Sequence, residues 1–357
     1  MTAGSAPAVD PAPLRRILVR APNWLGDLCF VAPAIEALAA AAPQASFAVA
    51  CKPSLASLAA CLPRVSDVIV LDPERGFRAT FGGHGRRMRA LHCDAAIVVP
   101  RSFRAALPVA WARIPVRIGF ASDARTPLLT HPVRGWKPLR LAHRMAYFGA
   151  LLRPFGLEAP VTGWRFTPPA EAVSRIDAWL AKAPGRRPGA PLIAFEPGGA
   201  YGVAKRWPEA RYAGLAARLV REGSDVVLIG TADMAPLHDR IAATAGVPLL
   251  RAAGATDLVE LAALLTRARA LVTNDTGPMH LAAAVGTPLL GLFGSTDPAV
   301  CGPRGTGPMR VLYEKVDCSP CYLKECPVPG HPCLDRFEVD RVHHELTTLL
   351  AGGDGRG

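Results

Sequence analysis

Short apolar runs alternate with helix-like segments along most of the chain. Runs with the length of buried strands lie at 16–20, 46–50, 68–71 and 95–99, and again at 192–195, 225–230 and 248–250. Segments of helical length lie between them, among them 28–42, 143–155, 170–183, 232–245 and 256–267. Buried strands that alternate with helices are typical of a parallel sheet with helices on both faces. Because the pattern begins twice, the sequence predicts an α/β protein with two doubly wound domains.

Composition divides the chain into five segments. Residues 1–14 are rich in Ala and Pro and lack the basic start and long apolar core of a signal peptide, so we expect a disordered extension. Residues 15–165 form the first predicted domain, and 166–190, rich in Pro, Gly and Arg, a linker. The second domain covers 191–335, and 336–357 form a C-terminal helix and tail. Loops of the two domains are expected to face each other across a ligand cleft.

Hydropathy and charge indicate a globular protein with an acidic partner. Half of the 357 residues are hydrophobic, as in globular proteins, and no apolar run is long and charge-free enough to span a bilayer. The expected location is the cytoplasm. A net charge of +12 indicates an acidic partner, and only six of the 41 basic residues are Lys, which favours bidentate phosphate recognition by Arg. A biased genome composition would also raise Arg. The basic residues are scattered, so a nucleic-acid partner is not indicated.

The first strand leads through the loop Asn23-Trp24-Leu25-Gly26-Asp27 into a helix. The loop lacks the GxGxxG pattern, so a nicotinamide dinucleotide is not indicated. Asp27 falls where the carboxyl end of the strand meets the helix, the edge at which doubly wound sheets bind ligands. An Asp in a first helical turn that only interacts with the helix dipole is the alternative.

Arginines follow the strand that ends near Pro100. Arg101 and Arg104 come directly after it, and Arg113, Arg117 and Arg125 are expected to continue a basic surface. Acceptor binding and ordinary solvated arginines both fit this pattern. A Gly- and Arg-rich stretch at 82–89 is expected to be mobile.

The second domain carries glycines and cations after its first strand. Gly198 and Gly199 let backbone approach a ligand closely, and Lys205 and Arg206 follow at the same end of the predicted sheet. A flexible surface loop with incidental charges is the alternative.

Residues 270–298 read as strand, tight turn, short helix and second strand. Asp275, Thr276 and Gly277 lie in the turn, Pro278 suits the first helical turn, and Gly286 ends the helix. Amides at a positive helix end form an anion site, for which a diphosphate is a common ligand. The alternative is that Asp275 and Thr276 merely cap the helix.

Three motifs together resemble glycosyltransferase family 9. They are Asn23-Trp24-Leu25-Gly26-Asp27, Pro197-Gly198-Gly199 with Lys205-Arg206-Trp207-Pro208, and Asn274-Asp275-Thr276-Gly277-Pro278-Met279-His280. The resemblance extends over nearly the whole chain. It implies a GT-B architecture of two Rossmann-like domains, the first for the acceptor and the second for the donor. It also implies inverting, metal-independent transfer of L-glycero-D-manno-heptose from ADP-heptose to the first heptose of the lipopolysaccharide inner core on Kdo-lipid A.

The resemblance also assigns roles to individual residues. Asp27 matches the catalytic base, and Lys205 is the second predicted catalytic residue, at the leaving diphosphate. Asn23 and Trp24 share the motif of Asp27 and are expected to bind the acceptor, together with Arg101 and Arg104 at the sheet edge. The expected donor-binding residues are Gly198, Gly199, Asp275, Thr276, Gly277 and His280, with Asp233 at the ribose and Thr256 to Leu258 at the adenine. His280 as a buried structural histidine, and Asp233 as a helix cap, remain open. Lys205, the turn amides and the helix dipole supply positive charge to the leaving diphosphate.

A cysteine cluster lies near the end of the second domain, within the loop 318–333. Cys318, Cys321, Cys326 and Cys333 have the spacing C-x2-C-x4-C-x6-C. In a cytoplasmic protein a metal site outranks disulfides, and only the first pair has zinc-knuckle spacing. A structural zinc, a disulfide staple and four unligated thiols all remain open. We expect no cofactor in the catalysis itself.

Other function classes fit the same pattern less well. Transfer to the heptose-free core, another nucleotide-sugar transferase and a nucleotide-sugar epimerase would use the same scaffold; an epimerase needs paired acid and base groups on the donor side. A non-catalytic binding protein docked on the anionic inner membrane face is the third class. Loss of transfer in Asp27→Ala with the donor still bound would argue against a pure binder.

Overall fold

The computed structural model describes residues 8–71 and 83–353. It contains two compact units, residues 1–162 and 163–357. Each has its own six-stranded sheet with helices packed against it. The predicted α/β class with two doubly wound domains is confirmed.

The sheet of the first unit is parallel throughout. Its strands are β1 (Arg16–Arg20), β2 (Ser46–Cys51), β3 (Val65–Val70), β4 (Ala95–Val98), β5 (Val116–Phe120) and β6 (His131–Val133). They lie in the order β3-β2-β1-β4-β5-β6, the Rossmann order. The three middle residues of β1 and the whole of β4 are apolar and buried because helices cover both sheet faces. Leu18 of β1 pairs with Ala48 on one side and Ala96 on the other.

The described residues of the first unit contain five α-helices. They are α1 (Leu25–Ala41), α2 (Ala56–Ala60), α3 (Gly85–Ala90), α4 (Phe103–Trp111) and α5 (Arg144–Gly149). Helix α1 is rich in Ala and Leu, which are strong helix formers, and it ends before Pro43. Helix α4 begins at two side-chain caps: Ser102 accepts from Ala105 N at 3.3 Å and Asp123 from Phe103 N at 2.6 Å. These caps fix the start of α4 at the carboxyl end of β4.

The second unit repeats the topology. Its strands are β7 (Leu192–Glu196), β8 (Asp225–Gly230), β9 (Leu250–Ala253), β10 (Ala270–Asn274), β11 (Leu289–Phe293) and β12 (Met309–Tyr313). Their order, β12-β11-β10-β7-β8-β9, is the same Rossmann order read from the other edge. Strands β7 and β10 are therefore neighbours at the centre, as β1 and β4 are in the first unit.

Eight α-helices pack around this second sheet in the part of the unit that the structure describes. They are α6 (Ala170–Lys182), α7 (Glu209–Arg221), α8 (Ala235–Ala245), α9 (Leu258–Arg267), α10 (Gly277–Val285), α11 (Pro298–Cys301), α12 (Pro332–Asp335) and α13 (Val339–Gly353). The apolar face of α13, with Val342 and Leu346, joins the core that α7 and the central strands form. The C-terminal helix is thus an integral part of the second unit.

The predicted linker at 166–190 belongs to the second unit. Helix α6 packs on α9, and two ion pairs join them, Arg175 to Glu260 and Arg267 to Asp177, each at 2.7 Å. The boundary between the compact units falls at residue 162 rather than 165. A Pro- and Gly-rich composition marks this segment as irregular around α6, but the apolar face of α6 attaches it to one unit.

Two other expectations need correction. Residues 8–14 were expected to be part of a disordered extension, yet Leu14 is buried and Val9 N–H donates to the Pro154 carbonyl at 2.8 Å. Of the expected mobile stretch 82–89, Gly82 lies outside the described residues and the rest leads into α3. Among the described residues, no helix combines the length and the apolar character needed to cross a bilayer.

Candidate active site

The loops that follow the strands of the second unit meet at the carboxyl edge of its sheet, called here the second-unit edge. The order of the strands reverses between β7 and β10, the point at which doubly wound sheets bind ligands. Glu196 ends β7, and Asp275 and Thr276 follow β10. Thr296 follows β11 on one side, and Asp233 follows β8 on the other. The topology therefore brings residues from distant parts of the sequence to one edge.

The amino end of α10 is a suitable anion site. Thr276 is the N-cap residue in an extended conformation, but among the described residues its side chain makes no capping hydrogen bond. Pro278 lies in the first turn, and Gly286 ends the helix with φ +81°, a value that strains other L residues. Thr276 is therefore not an ordinary side-chain cap. The positive helix end and its first amides are directed to the edge, where an anion would bind them.

Lys205 forms an ion pair with Asp275 beside this helix end. Its ammonium lies 2.5 Å from Asp275 Oδ2 and 3.4 Å from the Asp275 carbonyl, one residue before the N-cap. Thr296 donates to the same Oδ2 at 2.7 Å, and His280 Nε2 lies 3.9 Å from Oδ1. Because Asp275 is buried, these partners offset the cost of removing its carboxylate from water. The contacts hold the Lys205 cation next to the amides of α10.

Asn274 fixes the loop that carries Lys205. Its amide nitrogen donates to the carbonyls of Pro197 and Gly198, at 3.1 and 2.8 Å. Its amide oxygen accepts from the backbone N–H of Trp207 at 3.0 Å and from the Tyr212 hydroxyl at 3.1 Å. A fully buried side chain with its hydrogen bonds satisfied thus joins the end of β10 to both ends of the loop after β7.

Glu196 is a site residue that the sequence analysis missed. It is only 5 % exposed, and burial raises the pKa of its carboxyl to about 7. Hydrogen bonding to Thr276 and the nearby charge of Arg206 act in the opposite direction. A side chain at Gly198 would come within 2.9 Å of Glu196 Oε1 and 3.1 Å of Met234 Sδ, so the glycine admits this packing. The available signal was an acid at the end of an apolar strand directly before Pro-Gly-Gly.

The remaining predicted donor residues lie farther along the second-unit edge. Gly199 is buried in the loop after β7, and Asp233 is exposed after β8. Thr256 and Leu258, both partly buried, follow β9. Asp257, rather than Thr256, caps α9, and it accepts from the second and third helical amides in a capping box with Glu260. The structure thus spreads these residues from β7 to β9, on the side of Glu196 away from Thr296.

The corresponding edge of the first unit, called the first-unit edge, is more open. Arg20 at the end of β1 donates to Asn23 Oδ1 at 3.0 Å, and burial lowers the pKa of Arg20 to about 10. The half-exposed Trp24 has the Lys52 ammonium 5.4 Å from its ring centroid. Asp27, partly buried, lies in the first turn of α1. Asn23, Trp24 and Asp27 therefore share one loop beside the central strand.

A cavity of about 580 Å³ opens at the ends of β4 and β5. Arg101 and Lys137 contribute cations to its lining, and the Arg101 guanidinium lies 5.1 Å from the centroid of the Trp136 ring. Trp136 is fixed by donating to the Ala121 carbonyl at 2.9 Å. Arg104 is exposed on α4 and does not line this cavity. Of the two predicted acceptor arginines, only Arg101 belongs to the cavity.

The expected basic surface is wrong at Arg125. This side chain is fully buried and donates to the carbonyls of Phe120 at 2.9 Å, of Val98 at 3.5 Å and of Pro100. Burial lowers its pKa to about 10. Arg125 therefore ties the ends of β4 and β5 together beneath the cavity. The sequence could not indicate this because the three carbonyls come together only in the folded sheet.

Comparison with known proteins identifies the family. Residues 82–331 match the family model described as Glycosyltransferase family 9 (heptosyltransferase). Over 94% of its length the chain is 32% identical to Lipopolysaccharide heptosyltransferase 2 of Escherichia coli (strain K12), 98% of which is covered. The chain belongs to glycosyltransferase family 9. The sequence resemblance is thereby confirmed.

Solved structures of family 9 glycosyltransferases share the fold. The structure of E. coli ADP-heptose lps heptosyltransferase II matches with a TM-score of 0.79 and 28% identity, over 95% of this chain and 99% of that one. A family 9 glycosyl transferase from Veillonella parvula DSM 2008 matches with a TM-score of 0.83 and 23% identity, over 97% and 99%; at this identity the match concerns the fold alone. The GT-B class of two Rossmann-like units is confirmed.

The four clustered cysteines of this family 9 member surround one small cavity. Cys318, Cys321, Cys326 and Cys333 line a space of about 30 Å³, together with His331, and none of them is in a disulfide. Four thiols are a suitable donor set for zinc. Within 8–71 and 83–353, however, no group of three or more potential ligands is placed to hold a metal ion. Zinc uptake stays a prediction, which metal analysis and thiol titration of the purified protein would test.

The cysteine-rich loop packs on the segment that leads to Lys205. Ala204 N–H donates to the Lys324 carbonyl at 3.0 Å, and the Ala204 carbonyl lies 2.9 Å from His331 Nε2. The Tyr201 hydroxyl donates to the Tyr322 carbonyl at 3.1 Å. The loop thus supports the backbone of the Lys205 segment, whatever the state of its thiols.

Proposed function

We propose that this family 9 enzyme transfers L-glycero-D-manno-heptose from ADP-heptose to the first heptose of the lipopolysaccharide inner core on Kdo-lipid A. Full-length similarity to the E. coli lipopolysaccharide heptosyltransferase 2 supports the acceptor class. The name of the matching structure, an ADP-heptose lps heptosyltransferase II, supports the donor.

The observation that carries the proposal is the amino end of α10, where Lys205 lies beside an N-cap residue that makes no capping hydrogen bond within the described residues. In the proposed complex the donor diphosphate accepts from the amides of Thr276 and Gly277. The Lys205 cation, 3.4 Å from the Asp275 carbonyl, balances the charge that grows on the diphosphate as the glycosidic bond breaks. These groups supply positive charge from the protein, and we infer that the transfer does not depend on a metal ion. The sequence also contains no Asp-x-Asp metal clamp.

Asp27 is the proposed general base. Its carboxylate takes the proton of the acceptor hydroxyl while that oxygen attacks the anomeric carbon of the heptose. The new C–O bond forms on the face opposite the leaving group, so the anomeric configuration inverts. The bond from the anomeric carbon to the phosphate oxygen breaks, and ADP leaves with the electron pair. Asn23 and Trp24, in the same loop, are proposed to position the acceptor.

We assign the acceptor's anionic groups to the cavity beside Arg101. Inner-core sugars carry carboxylates on Kdo, and an Arg that stacks on Trp136 with Lys137 nearby can pair with them. The positive net charge supports peripheral contact with the anionic cytoplasmic face of the inner membrane, where the lipid acceptor is made. Donor residues Asp233, Thr256 and Leu258 are proposed to hold the adenosine part.

Transfer assays with defined acceptors test the proposal. Purified protein would be given ADP-heptose and inner-core acceptors that bear no, one or two heptoses, with EDTA present. We expect product only with the one-heptose acceptor. Product with the heptose-free core would assign the first transfer instead. Absence of product with every acceptor, while ADP-heptose still binds, would favour another acceptor or a binding role.

A further inference from the structure

Glu196 lies in an unusual position for an acid. It ends β7 next to β10, and its carboxyl hydrogen-bonds with the hydroxyl of Thr276, the N-cap residue of α10. Its Oε2 atom is buried and has no hydrogen-bond partner among the residues that the structure describes. An unsatisfied buried carboxylate oxygen is costly, and it lies at the helix end where an anion is expected to bind.

The charged and titratable groups around Glu196 come from every neighbouring element. Arg206 lies in the loop after β7, and the Lys205–Asp275 pair lies beyond the end of β10. His280 is on α10, Tyr212 on α7 and His238 on α8. Burial lowers the pKa of His238 to about 4 and raises that of Tyr212 well above its usual value, so neither changes charge near neutral pH. Of the two histidines, His280 is therefore the group whose proton uptake the test must distinguish from that of Glu196.

A diphosphate at the amino end of α10 would lie close to the Glu196 carboxyl. An ionised Glu196 would then face further negative charge in a buried site, which favours its neutral form. The Thr273 hydroxyl lies 2.8 Å from the Asn274 carbonyl and 3.2 Å from the Thr276 hydroxyl, and it also hydrogen-bonds with the Glu196 carboxyl. Thr276 is the hydroxyl at the helix end, where its hydrogen can turn toward a ligand. A neutral Glu196 donates to the Thr276 oxygen, and Thr276 can then direct its own hydrogen to a phosphate oxygen.

We propose that Glu196 is a donor-positioning residue: it is a carboxylate at the amino end of α10 in the ligand-free protein and a neutral acid beside the donor diphosphate, so that donor binding takes up one proton. Glu196 acts through Thr276 and does not itself touch the reacting atoms. The inference rests on the proposed donor site but not on the acceptor or on the transfer step.

The first test is calorimetry of donor binding to the wild-type protein in buffers of different ionisation enthalpy. The probes are ADP-heptose and ADP-ribose, because the phosphates of such diesters do not titrate near neutral pH. For a carboxyl with a pKa of about 7 that must be neutral in the complex, uptake approaches one proton at about pH 8.5 and vanishes at about pH 5.5. The affinity should fall about 30-fold from the acid limit to pH 8.5.

A variant assigns the proton to Glu196. Glu196→Gln keeps an amide that can donate to Thr276, so it should bind ADP-heptose near pH 8.5 as tightly as the wild type does at low pH. The matched control is Glu209→Gln, which changes a half-exposed acid of α7 that pairs with Arg240 and also feels the charge of Arg206. The control should retain both the proton uptake and the pH dependence.

Two results would overturn the inference. Wild-type binding without proton uptake shows that Glu196 does not change charge. A pH dependence that survives in Glu196→Gln assigns the proton to another group, such as His280. Should the Gln variant not fold, the wild-type uptake still decides, since its midpoint must lie near pH 7. Normal proton uptake without transfer to any acceptor would contradict only the proposed function, whereas failure to bind either probe would reject the donor site.

Discussion

The two units have the same strand order and present different chemistry at the same edge. At the second-unit edge, the charged groups Lys205 and Asp275 are largely buried and paired, and the fully buried Asn274 fixes the loop. At the first-unit edge, the exposed Arg101 side chain lies over the Trp136 ring and lines a cavity of about 580 Å³. Identical topology thus supports a buried polar site with paired charges in one unit and an open site in the other, lined by Arg101, Lys137 and Asp123.

This difference fits the two ligands of the proposed reaction. A diphosphate is small and constant in shape, so fixed amides and a fixed cation can be arranged for it before it binds. An inner-core acceptor is larger and carries several anionic groups, which exposed side chains can meet without prior ordering. The comparison therefore predicts that substitutions at the second-unit edge change donor binding and stability together. Those at the first-unit edge should change acceptor binding or turnover and leave donor binding unchanged.

The largest expected effect is on turnover, at Asp27. Asp27→Asn keeps the size of the side chain and removes its ability to take a proton, so kcat should fall by about a thousandfold. Donor binding should not change, because Asp27 belongs to the first unit. Steady-state transfer and ADP-heptose titration of the same preparation measure the two quantities. Near-normal turnover would remove Asp27 from the role of base.

Next in size is the loss of the Lys205 cation. Lys205→Ala should weaken ADP-heptose binding by about 10- to 100-fold, the range for a hydrogen bond to a charged group. It also leaves the buried Asp275 without its cation, which costs on the order of 3 kcal/mol of unfolding free energy. Titration with ADP-heptose and thermal unfolding measure these two effects.

A second substitution separates the loss of donor affinity from the loss of stability. Lys205→Ala with Asp275→Asn removes the unpaired charge and should recover much of the unfolding temperature without recovering donor affinity. The control is Lys324→Ala, since Lys324 lies near the same Tyr201 ring but does not pair with Asp275. Unchanged donor affinity in Lys205→Ala would contradict the phosphate role.

A third effect concerns stability and pH. Burial raises the pKa of Glu196 to about 7, above its usual value of 4.5, so the folded protein holds this proton more tightly than the unfolded chain does. The associated stability is complete at low pH and is lost as the pH rises through about 7. Near pH 8.5, the free energy of unfolding of Glu196→Gln should therefore exceed that of the wild type by about 3 kcal/mol, so the variant should unfold at a higher temperature. Near pH 5, the two proteins should unfold at similar temperatures. Equal melting temperatures at both pH values would show that burial does not raise the pKa of Glu196 in the folded protein.

The sequence predicted the central strands and the loops at their carboxyl ends. The middle of β1 and the first three residues of β10 are buried on both faces and therefore appear as short apolar runs. It did not predict β5, β6 or β12. Strand β5 begins with the partly exposed Val116 and Arg117, β6 has three residues, and β12 is an edge strand with only Leu312 buried. Such strands carry no periodic signal that separates them from loops.

Site residues that belong to a sequence motif could be predicted, whereas those whose role depends on burial in the fold could not. Lys205, Asp275 and Thr276 lie in motifs, and the fold brings them together at the ends of adjacent strands. Glu196 and Arg125 appear in the sequence as a strand-end acid and a loop arginine. Their burial depends on neighbours from β4, β5, α7 and β10, which only the folded sheet supplies.

The smallest expected effect is on acceptor binding at the first-unit edge. Arg101→Ala removes a cation from the lining of the cavity and should raise the acceptor KM by about tenfold, the range for one charged contact. Donor affinity and kcat should remain as in the wild type, because Arg101 is exposed and lies in the first unit, outside the proposed donor site. Arg104→Ala is the matched control: it removes the same charge three residues away, outside the cavity. Equal acceptor KM values for the two variants would mean that overall positive charge, rather than this cavity, attracts the acceptor. A raised KM in Arg101→Ala alone would locate the acceptor on the first unit and give each edge its own ligand.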